Sequence, residues 1–261
     1  MGHQRLGKLP AHRLLPEIVK YLVTGGTPTA NLVDQVTEVG RDALKHALKD
    51  PVFVEALWLL IRLPQAAASK DFSAALAEIG MGAHAPASVP ELMVAFDRAL
   101  EKVQRGAGAG TTDLGEIARQ AGLSALGDAV ATGMPLWSPT NADVQASVAA
   151  LRVPEKFGAL AHHFHASVVE RVIHYYVDRN LHNLVGADRV ARSVSDLRNY
   201  DAAIRRHCNE AALIMRAFAK DWLGKNHYRD GKEITRKDAL QFSAYAVEKI
   251  RIELSKRKGT R

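Results

Sequence analysis

The chain has 261 residues, 47% hydrophobic and 24% charged, an ordinary globular composition that excludes dominant disorder and suffices for a sizeable core. Its single cysteine, Cys208, excludes an intramolecular disulfide and a zinc site built from several thiolates. The formal net charge of +7 is unevenly placed: residues 1–186 carry 17 Lys and Arg against 18 Asp and Glu, residues 187–261 carry 18 against 10, and such asymmetry points to an anionic partner.

The stretch "MGHQRLGKLPAHRLLPEIVKYLVTGG" is basic and lacks the apolar core of a secretory signal, and Leu6 stands where a myristoylation motif needs Ser or Thr. A cytoplasmic protein is expected. Periodicity predicts a helix from Ala30 to Leu48, with Leu32, Val33, Val36, Val39, Leu44 and Leu48 near one face. Pro51 suits the first turn of a second helix, expected to run to about Arg62 and stop before Pro64. Its apolar run, "VFVEALWLLIRL", is too short to span a bilayer and carries Glu55 and Arg62, so it predicts a buried helix. Helices follow over Phe72 to Ile79 and Val89 to Val103, the latter with Ser88 as cap and Pro90 and Glu91 in its first turn.

"QRGAGAGTT", Gln104 to Thr112, is the best linker in the chain. It suggests an N-terminal helical region over 1–103, a hinge over 104–112 and a C-terminal helical region over 113–261. No predicted strand precedes its glycines and no Lys follows them, so it is not read as a phosphate cradle.

Beyond it, Ile117, Ala118, Gly122, Leu123 and Ser124 in "IARQAGLS" resemble the helix-turn-helix of bacterial repressors, a family whose second helix reads DNA. The resemblance covers about 20 residues and fails in its second half. Asp128 stands where the family has an apolar residue. "SALGDAVA" offers no Lys, Arg, Asn or Gln to a base edge, and Gly127 weakens it as a helix. The expectation is a helix pair jointed at Gly122 without DNA readout.

After an irregular stretch from Gly133 to Asp143, a long helix is predicted from Pro154 to about Leu184. His163, Ser167, Glu170, His174 and Asp178 fall within a sector about 80° wide on it, between apolar residues. This stripe fits a solvent-facing sliver, an interacting polar network, or a proton-transfer or metal site. Its spacings match no metal code, and Ile173 stands where a di-iron bundle has His. The next helix, from about Ser195 to Gly224, places Ile204, Cys208, Ala211, Met215, Phe218 and Trp222 on an apolar stripe, which makes Cys208 a buried, inert thiol. Arg198, Arg205, Arg216 and Lys220 lie roughly opposite. A last helix is predicted from Thr235, with Thr235 and Asp238 as a capping box and Leu240, Val247, Ile250 and Leu254 as its apolar stripe.

No run of alternating residues argues for a sheet, so the fold class is all-α: a multi-helix, bundle-like protein. The basic stretch "GKNHYRDGKEITRK" supplies Lys225, His227, Tyr228, Arg229, Lys232, Arg236 and Lys237. Its cations suit phosphates and its rings suit bases. Arg236 and Lys237 stand in the first turn of a helix, where the macrodipole disfavours cations, a local cost that can mark a function elsewhere.

These features lead to a non-enzymatic helical binding protein whose basic C-terminal region engages nucleic acid mainly through phosphates, and whose near-neutral helices pack on a protein partner or a second copy. No catalytic residue, cofactor, metal or membrane is expected. The alternative is a helical subunit or adaptor of a larger complex with no nucleic-acid contact. A third reading is a helical enzyme using Glu170 with His163 and His174.

Overall fold

A computed structural model describes residues 47–106, 112–137, 139–178, 212–225 and 233–256, together with 198, 202, 205, 206 and 208–210 singly. The helix expected from Ala30 to Leu48 lies almost wholly outside the described residues. Within them the protein is all-α: α1 Pro51–Ala67, α2 Phe72–Glu78, α3 Val89–Gly106, α4 Asp113–Ala131, α5 Asn141–Ala149, a 3₁₀ turn Ala150–Arg152, α6 Pro154–Asp178, α7 Ile214–Leu223 and α8 Arg236–Lys256. Among the described residues there is no strand, and no helix is long and apolar enough to cross a membrane.

Helix starts follow local chemistry. The Asp50 carboxylate accepts from the Val52 and Phe53 amides at 2.9 and 3.1 Å and so caps α1. Asp71 caps α2, Thr112 caps α4, and Thr140 with Asp143 forms a capping box on α5. The expected box on α8 is present. The Asp238 carboxylate accepts from the Thr235 amide at 2.9 Å, and the Thr235 hydroxyl accepts from the Asp238 amide at 3.2 Å. Thr112 also donates to Asp50, so the caps of α1 and α4 are fastened together.

Two expectations are corrected. Helix α1 does not stop before Pro64 but runs through it to Ala67. Pro64 removes one backbone hydrogen bond, a cost of about 3 kcal/mol. Burial of Leu63, Pro64, Ala66 and Ala67 offsets it. The helix pair jointed at Gly122 is not formed either, because α4 is a single helix from Asp113 to Ala131. Gly122 makes no turn. A Cβ there would lie 3.0 Å from the Phe96 ring, so its small size lets α4 press against α3. An unbroken helix has no turn between a supporting and a recognition helix, which removes the helix-turn-helix resemblance altogether.

The buried apolar side chains form one cluster that is continuous across the 104–112 stretch, with α1 and α3 packed on α4 and α4 on α6. Where α6, α7 and α8 meet, Phe242 is the hub. Its ring stacks on Phe218 at 5.3 Å and 9°, and lies 4.7 Å from Trp222 and 6.2 Å from Phe157. Among the described side chains of α8, Ala239, Phe242, Ser243 and Ala246 are buried and Leu240 is half-buried. Of the expected aliphatic stripe, the side chains of Val247, Ile250 and Leu254 lie outside the described residues. Helices α6 and α7 cross closely at Gly158, where a Cβ would lie 2.5 Å from the Arg216 carbonyl oxygen.

Candidate nucleic-acid interface

Of the seven basic-region residues singled out by sequence, His227, Tyr228, Arg229 and Lys232 lie outside the described residues. Lys225 is exposed just after α7, and Lys237 is exposed in the first turn of α8. Arg236 is committed within the protein. Its Nε and Nη2 donate to the Glu55 carboxylate at 2.5 and 2.8 Å, and its guanidinium lies 3.7 Å from the centre of the Trp58 indole. Glu55 is buried, so this pair neutralises a carboxylate inside the α1–α8 contact. The hydrogen bonds to Glu55 push the Arg236 pKa further up. The same junction is held by Trp58 Nε1, which donates to the Ile234 carbonyl at 3.1 Å, and by Arg62, which pairs with Glu233 at 2.9 Å. The cation in the first turn of α8 thus has an intramolecular cause.

The cations expected opposite the apolar stripe divide in the same way. Lys220 pairs with Glu155 at 2.8 Å and Arg205 with Glu170 at 3.3 Å, both carboxylates of α6. Arg198 and Arg216 are exposed and have no ion-pair partner among the described residues, and the same holds for Arg206, which is not among the cations expected there. Part of the basic excess therefore answers acidic side chains of the preceding helices.

Helix α8 carries a face that the sequence reading did not single out. Lys237, Gln241, Tyr245 and Lys249 follow one another at i+4 and are all exposed, Tyr245 at 65%. Each step rises about 6 Å and drifts about 40°, so the four lie along one side of about three turns. Glu248 shares that side. A tyrosine ring presented between cations can stack on a base while the ammonium groups meet phosphates. The i+4 spacing is present in the sequence, but only the burial of Phe242 decides that this side of α8 faces outward.

The polar stripe of α6 is not a sliver of solvent-facing residues. It is a seam against its neighbours. His163 Nε2 lies 3.6 Å from the Asp128 carboxylate of α4. Ser167 is buried and accepts from Arg171 Nε at 3.1 Å, and Arg171 reaches Gln120 of α4 at 2.7 Å. Tyr175 donates to Asp113, and Glu170 pairs with Arg205. His174 is half-buried and makes contacts of its own, and the Asp178 side chain lies outside the described residues. The Asp128 that spoils the repressor pattern lines, with Thr132, Ser147, Lys156 and His163, a cleft of about 310 Å³. Among the described residues no group of three or more His, Cys, Asp or Glu is placed to hold a metal ion.

His165 points away from this stripe. It is fully buried beside Phe164 and Phe242, and its Nδ1 donates to the Ala161 carbonyl at 2.7 Å. Burial pushes its pKa down to about 4, so the ring is neutral near pH 7. Cys208 is buried, and the same cause pushes its thiol well above the usual range, which keeps it an inert thiol.

No protein-family model, curated protein or solved structure matches the chain, so any reading of function rests on its own residues.

Proposed function

We propose that this chain is a non-enzymatic, cytoplasmic helical binding protein whose basic C-terminal part engages nucleic acid mainly through phosphates. The observation that carries the reading is the exposed row Lys237, Gln241, Tyr245 and Lys249 on α8, whose two lysines have no ion-pair partner among the described residues. Arg216 and Lys225 add exposed cations without such partners. Gln241 is the row's one amide able to pair with a base edge, so the chemistry of two lysines about a ring suits backbone contact with stacking more than extended sequence readout.

The test is anisotropy of a labelled single-stranded oligonucleotide, titrated across a salt series. Reversing the charge of Lys225, Arg229, Lys232 and Lys237 abolishes binding on this reading, and unchanged affinity refutes it. Arg236 is kept, because its loss would loosen α8 and confound the result.

The second reading, a subunit or adaptor without nucleic-acid contact, is favoured by a different observation. Leu136 and Trp137, between α4 and α5, are 92% and 86% exposed, as apolar anchors of a protein contact are in the free state. Co-purification of a stoichiometric protein partner, with no oligonucleotide binding, would select it. In either case the near-neutral helices are the surface for a protein partner or a second copy.

A further inference from the structure

The first-turn cation of α8, Arg236, answers the buried Glu55. Lys156 stands in the first turn of α6, where the macrodipole likewise disfavours a cation, yet it has no ion-pair partner among the described residues. It lines the cleft of about 310 Å³ enclosed by α4, α5 and α6.

The cleft has two chemically different ends. Helices α4 and α6 run antiparallel, since Asp128, Gln120 and Asp113 of α4 meet His163, Arg171 and Tyr175 of α6 in that order. Asp128 and His163 form one end. Lys156 stands two turns earlier on α6, about 10 Å away along the axis, beside the end of α4. Lys156 and Asp128 do not pair with each other.

Ser147 of α5 belongs to the Lys156 end. A Cβ on Gly133, just past α4, would lie 3.0 Å from the Ser147 Oγ, so the glycine leaves that hydroxyl uncovered. Ser147 is only 7% exposed, and its hydroxyl has no hydrogen-bond partner among the described residues. A buried hydroxyl left unanswered is costly, and this one lines the cleft. The carbonyls at the end of α4 are already served. Asp128 O accepts from the Thr132 amide and hydroxyl at 3.1 and 2.8 Å, and Val130 O from the Gly133 amide at 2.9 Å. What remains at this end is an ammonium and a hydroxyl donor beside the N-terminus of α6, a set that holds a carboxylate.

The other end wants the opposite charge. The Asp128 carboxylate is mostly exposed and lies 3.6 Å from His163 Nε2, beyond hydrogen-bond length. It accepts no hydrogen bond from the described residues and is open to an ammonium. Between the ends, Ala125, Ala129, Leu151, Ala159 and Leu160 give an apolar floor. A simple acid or a simple amine answers one end of such a cleft and leaves the other charge unmatched. A zwitterion with an aliphatic spacer answers both.

We infer that this cleft binds a small aliphatic amino-carboxylate, its acid group held by Lys156 and Ser147 and its ammonium by Asp128. The site goes beyond the functional reading above. It lies on other helices than the row on α8 and does not depend on nucleic-acid binding.

The experiment is an NMR titration of the isotope-labelled full chain with ε-aminocaproate, and with caproate and hexylamine as probes that carry only one of the two charges. With ε-aminocaproate the Gly133, Ser147 and Ala159 amides should shift and saturate, at least about tenfold more tightly than with either single-ended probe. Lys156→Gln and Asp128→Asn should each weaken it by about tenfold, and Ser147→Ala by about fivefold. Two of these positions are exposed and the third loses only an unpartnered hydroxyl, so melting temperatures should not fall below the parent's. Failure of ε-aminocaproate to give saturable shifts at these amides overturns the inference. So does caproate or hexylamine binding as tightly as ε-aminocaproate, or a Lys156→Gln or Asp128→Asn variant that binds like the parent.

Discussion

The Arg236 guanidinium closes a bidentate ion pair on Glu55 across 181 positions of sequence, with its flat face on the Trp58 indole. The carboxylate is 6% exposed and the guanidinium 54%, so the arginine neutralises a buried acid while its own far edge stays wet. Removing one partner of such a pair strands the other.

Arg236→Ala is therefore expected to destabilise the fold by about 2 kcal/mol, below the full cost of a wholly buried pair because solvent reaches the site. Arg236→Lys keeps the charge and loses the fork, and should fall between parent and alanine variant. Pairing Arg236→Ala with Glu55→Met removes the stranded acid, and the double variant should be more stable than Arg236→Ala alone. Urea midpoints of the four proteins decide this. A double variant that is the least stable would show that stacking on Trp58, rather than the buried charge, dominates.

The glycines of α4 and α6 separate helix propensity from packing. Gly127 has only Met93 Sδ near its missing Cβ, at 3.6 Å, an ordinary contact. Gly127→Ala should stabilise by about 0.5–1 kcal/mol through helix propensity alone. Gly122→Ala gains the same propensity but drives a Cβ to 3.0 Å from Phe96, and its net effect should be a loss of about 1 kcal/mol. Gly158→Ala meets a main-chain oxygen at 2.5 Å, which cannot turn aside, and should lose about 2–3 kcal/mol. Thermal melts should rank Gly127→Ala above the parent and Gly158→Ala last.

These two sets of residues show how far the sequence could be read. The all-α class was legible because alanine content, periodicity and caps at Ser88 and Thr235 all act locally. Helix interruption was not. Pro64 and Gly122 carry strong local stop signals, and what overrides them is burial against residues far along the chain, such as Phe96. The basic region was visible as composition, but composition could not divide it. Which cation is spent on Glu55, Glu155 or Glu170 depends on pairings across the fold. Lys237 could be named from sequence, while Tyr245 needed knowledge of which side of α8 Phe242 turns inward.

His165 sets an acid limit on the fold. Its pKa falls from an ordinary 6.5 to about 4 on burial, so the folded state disfavours the imidazolium. Above pH about 6.5 both states are neutral and the group adds no pH dependence. Between about 6.5 and 4 the unfolded state binds the extra proton, and stability should fall by about 1.4 kcal/mol per pH unit, reaching about 3 kcal/mol. Denaturant melts at stepped pH should show this slope. His165→Leu should remove its share of the slope, whatever the variant's stability at neutral pH. An unchanged slope would place the acid sensitivity elsewhere.

The exposed row on α8 makes a prediction that separates stacking from charge. Lys237→Ala and Lys249→Ala each remove one phosphate contact on the proposed reading. Each should weaken binding to a single-stranded oligonucleotide and lower the slope of log affinity against log salt by about 0.7. Tyr245→Ala removes no charge. It should weaken binding by the worth of one stacked base, about 1–3 kcal/mol, and leave the salt slope as it was. Tyr245→Phe keeps the ring and should bind like the parent. Tyr245 is 65% exposed, so none of its variants should shift the melting temperature. If instead Tyr245→Ala flattens the slope, or the lysine variants leave it unchanged, the row is not where the strand lies. Other exposed cations, Arg198 and Arg206 before α7, Arg216 within it and Lys225 just after it, then become the surface to vary.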